Sequence, residues 1–277
     1  MPPWEVLSPI IIVSWALFMI ALERFFPYDK GQNLFREGFF TDFFWYTLVQ
    51  SYFLGLVIKW LTVDVLDAGT GLSRLHLISG WPLWMQLGVL FVVHDFYIYW
   101  FHRLQHNSKY LWRVHEAHHS VKNVDWLAGS RSHALEIIIN QTIEYAPFML
   151  LGARADLWLI KGVIDATWGM YIHSNIDVKS GWLQRVINGP EAHRWHHSSH
   201  LTEGGINYGT KLAIWDRMFG TVYLPKGEKP KAYGLSGGVV FPEGVFAYFA
   251  QHAWTFRRFD TPKKKVESAE LEAAAAE

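Results

Sequence analysis

Apolar residues in this chain come in long windows broken by single polar positions, neither alternating as in a half-buried strand nor confined to one stripe as in a surface helix. The first window, Pro9 to Leu22, reaches spanning length when Trp4 to Ser8, with Glu5, sit among headgroups. The second, Phe43 to Trp60, tolerates one Gln and ends on Lys59, which can snorkel. The third, Trp81 to Phe101, carries His94 and Asp95 near its far end. The second and third are long enough for about 30 Å of hydrocarbon. Ala134 to Gly152 and Leu157 to Ile176 are interrupted by Glu136, Glu144, Lys161 and Asp165, which predicts a short helical hairpin facing protein as well as lipid. The pattern predicts an all-α integral membrane protein with about four transmembrane helices and a cytosolic helical cap.

The organisation follows from the same pattern. Residues 1–80 are N-terminal membrane helices and loops, 81–224 a central unit, 225–262 an interfacial segment with Phe246, Phe249 and Trp254 on one face, and 263–277 a frayed or disordered tail. Met1 to Pro9 lacks a positive n-region, so no cleavable signal is expected. Lys and Arg number none before Leu22, three in the first loop (Arg24, Lys30, Arg36), one in the second (Arg74) and five after the third window (Arg103, Lys109, Arg113, Lys122, Arg131). That alternation predicts an outside N-terminus and a cytoplasmic histidine-rich face.

Composition narrows the chemistry. The 277 residues carry 25 Lys plus Arg against 25 Asp plus Glu, so there is no basic excess and no nucleic-acid partner is expected. Cysteine is absent, which excludes disulfides, thiolate nucleophiles, iron–sulfur ligation and Cys-based zinc sites. Any metal must be held by His or carboxylate. The 15 Trp suit a membrane interface, and the 14 His exceed what a core usually holds.

Eleven of those histidines lie between His102 and His200, eight of them in three clusters. His102 and His106 form an HxxxH whose i, i+4 spacing stacks both rings on one helical face. His115, His118 and His119 form an HxxHH, and His193, His196 and His197 repeat it. In a helix these spacings converge, so each cluster is expected to present up to three imidazoles together. A zinc-type site takes three or four protein ligands. Eight ligands, or nine with His173, therefore call for two metals. Imidazole suits zinc, copper, iron and nickel alike. An all-imidazole shell at a bilayer surface favours redox iron that meets both a lipid carbon and dioxygen.

With the intervening segments, these clusters resemble the fatty acid hydroxylase and sterol desaturase superfamily. The segments are Asp95 to His106, Leu111 to Ser120, Ala192 to His197, and Asn207-Tyr-Gly with Ile214 to Thr221, so the likeness runs from about Phe91 to Leu224. The resemblance implies a membrane-embedded di-iron enzyme that hydroxylates or desaturates a lipid, with dioxygen as co-substrate and external electrons. It carries the metal-ligand role onto His102, His106, His115, His118, His119, His193, His196 and His197, with His173 as a further ligand, and makes 81–224 the catalytic domain. Asp177 stands where some members have an extra His. His133 resembles a family segment near the metals and is a reserve ligand or an indirect support, set against a capping role at the start of a helix.

No GxGxxG fingerprint precedes a strand and no haem motif is evident, so a separate electron donor is expected, cytochrome b5-like or a ferredoxin with its reductase. A ligating imidazole needs its far N–H fixed by an acceptor, for which Asp95, Glu136, Asn175, Asn207 and Asp216 are the candidates. His94, beside Asp95, is placed either to orient a ligand in the same way or, as is commoner for such a pair, to make an internal hydrogen bond. His200 reads as solvated, and His76 and His252 as residues without partners. Trp215 to Thr221 reads as a structural clamp. Two rivals remain open. His115, Glu116 and His119 match the HExxH of a zinc metalloprotease, with Glu116 as general base, though this leaves the other clusters unexplained. A metal transporter would use intramembrane His, but at the bilayer midplane.

Overall fold

The apolar windows fold as helices, seen here in a computed structural model that describes residues 2–200, 205–237 and 239–258. The expected tail, 263–277, lies outside the described residues. Helix α1 is Trp4–Phe25. Helix α2 is Thr41–Thr70, wound partly as the wider π-helix. Both are long and apolar enough to cross a membrane, and both leave most of their surface uncovered by protein. Ile10, Val13 and Leu17 on α1 and Tyr52, Phe53 and Leu56 on α2 point outward, a contiguous apolar surface that water would penalise and lipid would not.

The third window becomes α3, Leu83–Asn107, and differs from the span expected over Trp81 to Phe101. In its second half one face is covered by protein, at Asp95, Tyr99, His102 and His106, while Phe96, Trp100 and Leu104 stay exposed. Asp95 is fully buried and accepts hydrogen bonds from the backbone N–H groups of Lys211 and Leu212 at 3.0 Å and from Trp215 Nε1 at 2.8 Å. Phe96 packs on Trp215, and Tyr99 on Tyr208. A carboxylate cannot be left bare in an apolar setting, and the loop that satisfies it covers this face of the helix.

Helix α4, Lys109–His119, starts at Ser108, whose hydroxyl caps it by accepting from Leu111 N–H. Helices α5, Ala134–Leu150, and α6, Leu157–His173, form the expected hairpin. Helix α1 lies along α6, with Trp15 Nε1 donating to Thr167 O at 2.9 Å. The ionisable residues that interrupt the hairpin are paired. Lys161 donates to Glu144 and, at 2.7 Å, to Asp165, which Lys211 also reaches at 2.8 Å. Helix α7, Pro190–His196, has proline at its first position, and α8, Ile214–Met218, and α9, Tyr248–Trp254, follow. Among the described residues there is no strand, only three isolated antiparallel bridges between loops. In the C-terminal segment Phe246 and Phe249 are exposed as expected, whereas Trp254 packs against Phe241.

A second buried ion network ties distant segments together. Arg131, wholly buried, donates to Asp42 at 2.6 Å and to Glu243 at 2.7 Å, while Arg36 binds Asp42 at 2.8 Å and Asp125 at 2.9 Å. Removing one member leaves an uncompensated buried charge, which costs roughly 3–5 kcal/mol. Arg131→Met is therefore expected to lower the unfolding temperature of the detergent-solubilised protein markedly. An unchanged transition would contradict the network's role.

Candidate metal centre

Helical geometry brings the histidines together, but divides the clusters. Successive residues of an α-helix lie about 100° apart. On α4, His115 and His119 therefore share one face while His118 points to another. His193 and His197, i and i+4, likewise diverge from His196. Five imidazoles, from His102, His106, His115, His119 and His196, form one group, and four, from His118, His173, His193 and His197, form the second. Within each group the ligand-capable nitrogens all lie within 4.8 Å of one another, and all nine rings are buried. The expectation that each HxxHH acts as one converging triplet is thus corrected: both are split between the groups. The groups adjoin, with His119 and His197 ring centroids 4.6 Å apart.

The far nitrogens decide which way the lone pairs point. His102 Nδ1–H donates to Tyr208 O at 2.8 Å, His196 Nδ1–H to Ile206 O at 2.7 Å, His118 Nδ1–H to Arg131 O at 3.2 Å and His173 Nδ1–H to Gly169 O at 2.8 Å. A carbonyl only accepts, so each of these rings carries its proton on Nδ1 and a bare lone pair on Nε2. His115 Nδ1 meets Glu136 Oε1 at 2.9 Å. The consequence is visible in each group. Nε2 of His118 faces Nε2 of His173 at 3.3 Å, and Nε2 of His102 faces that of His115 at 3.1 Å. Two lone pairs opposed without a proton in a dry interior repel each other, and a cation between them removes the repulsion. His196 Nε2 is buried with no hydrogen-bond partner. The donor set fits two imidazole-bound transition metals.

Burial also fixes the protonation state. Desolvation, reinforced by the neighbouring rings, holds His115, His118, His119, His193, His196 and His197 well below the ordinary imidazole value of 6.5. Neutral imidazole is the form that ligates a metal.

The expected supporting carboxylates and amides act mostly at one remove. Glu136 alone among them touches a site imidazole. Asp216 accepts from the N–H groups of Tyr208 and Gly209 at 2.8 and 2.9 Å, and Asn207 donates to Ala192 O at 2.9 Å, so both hold the loop whose carbonyls orient His102 and His196. Asp95 anchors the same loop from α3. Trp215 to Thr221 clamps it, as expected. Asn175 instead ties its segment to Asp29 and Glu23. His133 belongs to neither group. It caps α5, its Nδ1 accepting from Leu135 N–H at 3.1 Å. His252, expected to be without partners, stacks on His133 and accepts from Ala134 N–H at 3.1 Å. His94 lies beside Lys161 at 3.2 Å and Glu144 at 3.1 Å, so of its two expected roles it takes that of an internal hydrogen-bonding partner and does not orient a ligand. The Lys161 ammonium occupies the middle of that His94, Glu144, Asp165 group. His200 is exposed, as expected.

Sequence reasoning missed the backbone carbonyls, which have no residue-type signature, and Gly129. A Cβ on Gly129 would stand 2.7 Å from His173 Nδ1, so only glycine lets this ring seat. The carboxylate of Glu116, which the metalloprotease reading requires as a base, is held on both oxygens by Arg257 at 2.6 and 2.9 Å.

Comparison with known proteins agrees with the geometry. The fatty acid hydroxylase family profile matches residues 87–221. The ornithine lipid hydroxylase OlsE of Rhizobium tropici is 36% identical over 248 residues, covering 87% of this chain and 74% of that protein. The alkylglycerol monooxygenase of Danio rerio is 30% identical over 65% of this chain, and a Delta(7)-sterol 5(6)-desaturase of Gibberella zeae 29% identical over 54%. Those two matches span only 39% and 45% of the respective relatives. No solved structure matches.

The buried neutral imidazoles make stability depend on pH. The unfolded chain takes up protons on these residues below about pH 6.5, whereas the folded chain resists, so stability is full above that value and is lost as pH falls below it. Each ring that stays neutral contributes a slope of roughly 1.4 kcal/mol per pH unit. Chelator-treated protein should show a flat unfolding temperature above about pH 6.5 and a steep fall towards pH 5. A temperature that holds constant to pH 5 would mean the rings are not buried neutral.

Proposed function

The chain belongs to the fatty acid hydroxylase family, and within it we propose that this protein is a membrane-bound di-iron oxygenase that hydroxylates an acyl or alkyl lipid. The observation that carries the reading is the pair of adjoining imidazole groups whose bare Nε2 lone pairs converge. His102, His106, His115, His119 and His196 would hold one iron, and His118, His173, His193 and His197 the other. When bound, the two irons would supply dioxygen activation and attack on an unactivated C–H bond. Hydroxylation inserts one oxygen atom of O2 into that bond and releases the other as water, consuming two electrons and two protons. The electrons would come from a separate one-electron carrier protein.

The chain's own residues supply orientation and dryness. The carbonyls of Tyr208, Ile206, Arg131 and Gly169 fix the tautomer of four imidazoles, and Glu136 makes His115 a stronger donor by accepting its Nδ1 proton. Asp95 and Asp216 hold the loop rigid from outside. The relatives' names, ornithine lipid hydroxylase and alkylglycerol monooxygenase, support a lipid substrate and oxygen insertion. The apolar α1 and α2 support delivery of that substrate from the bilayer. The Lys and Arg distribution supports an N-terminus outside and the histidines facing the cytoplasm.

His118→Ala reduces the second group from four imidazoles to three. It should lose about half of the iron and all turnover, read by metal analysis and by lipid mass spectrometry. Full activity with unchanged iron would overturn the assignment. Glu116→Gln, lethal to a zinc protease, should leave much of the activity, and the product should gain one oxygen rather than lose two hydrogens.

A further inference from the structure

Beside the second imidazole group lies a cavity of about 460 Å3, within the ~300–1,000 Å3 usual for small-molecule sites. Its wall takes Ile12 from α1, Leu54 from α2, Ile137, Gln141 and Tyr145 from α5, and Gly169 from α6. Both helices apolar enough to cross a membrane thus contribute to it. Two glycines bring it against the metal centre. Gly129 and Gly169 both line it, the first lying against the His173 ring and the second holding that ring through its carbonyl.

The lining is largely apolar, and most of its polar groups are already engaged. Thr47 donates to Asp42 O, Ser51 to Tyr46 O, Ser130 to Leu127 O and Gln50 to Ser132 O, while Asp165 is paired with two lysines. Gln141 and Tyr145 make no hydrogen bond among the described residues. They sit i, i+4 on one face of α5, one and two turns beyond Ile137, about 6 and 12 Å from it along the helix axis.

We propose that this cavity seats the reacting segment of the substrate, a saturated chain whose ester, ether or amide oxygen is held by Gln141 and Tyr145 and whose oxidised carbon lies at the glycine-lined end, beside His173. This rests on the oxygenase reading and adds to it where the substrate lies and which carbon is presented. Gly169 sets the free depth: a Cβ there meets nothing within 4 Å, so the position has room for a side chain to start into the cavity, and the carbonyl that orients His173 belongs to the unchanged backbone.

The test uses the iron-loaded full-length protein in detergent. Gly169→Leu should keep the wild-type iron content and unfolding temperature yet lose turnover by on the order of tenfold or more. A photoreactive probe, the methyl ester of a saturated fatty acid carrying a diazirine, should label the α5 and α6 segments of wild type, and Gly169→Leu should abolish this. Gln141→Leu with Tyr145→Phe should scatter the position of oxygen insertion along the chain. Undiminished turnover in Gly169→Leu, or labelling confined to other helices, would overturn the proposal. A wild-type protein that yields no dioxygen-dependent product would overturn the oxygenase reading instead, and the labelling pattern would still decide whether the cavity takes a chain.

Discussion

Nine imidazoles buried together with their lone pairs aimed at one another are the constraint around which this molecule is organised. Left as they are, the bare Nε2 atoms of His118 and His173, or of His102 and His115, face each other at about 3 Å with no proton between them. Such a set is tolerable only if its members are fixed from behind and satisfied by positive charge in front. Most of the polar structure within reach does the first of these tasks. The carbonyl of Arg131 that holds His118 belongs to a residue clamped by Asp42 and Glu243, so the second buried ion network reaches the centre through the backbone.

The loop from Asn207 to Thr221 shows how support can be layered. Its carbonyls orient His102, and with Ile206 His196, but a loop carbonyl is only as well placed as the loop. Asp95 takes backbone N–H groups at its far side, Asp216 takes those of Tyr208 and Gly209, and Asn207 bridges to Ala192 and Tyr223. Two buried carboxylates thereby do their work on peptide groups, converting a flexible connection into a rigid one. The same logic accounts for the interrupted hairpin. Glu144, Lys161 and Asp165 would each be costly in an apolar setting, and with Lys211 they neutralise one another.

A dry metal-binding interior also needs a route for its substrate that does not admit water. Helices α1 and α2 offer apolar outer faces to lipid and, on their inner sides, share a cavity that stops at the His173 ring. Glycine at positions 129 and 169 is what allows so close an approach, since in the first place a methyl group would collide with the ring and in the second it would begin to fill the space. On the proposed function, the apolar outer faces, the imidazole groups and the cavity thus meet at the same few helix turns.

The sequence by itself determined the helical class, the apolar windows and the histidines that meet, because helical period and spacing are properties of the local chain. HxxxH must stack two rings, because residues four apart share a face. It also marked Glu136, Asp95, Asn207 and Asp216 as polar residues with something to hold. Only the tertiary structure decided how the rings were shared out, splitting each HxxHH between two groups, since that depends on where helices α3, α4, α6 and α7 cross. It alone decided between ligand and helix cap for His133, set His94 against Lys161 and Glu144, buried the inner face of α3 and assigned the orienting role to backbone carbonyls. A carbonyl is present at every position, so nothing in a residue's identity announces which one an imidazole will find; that is set by distances between segments remote in the chain.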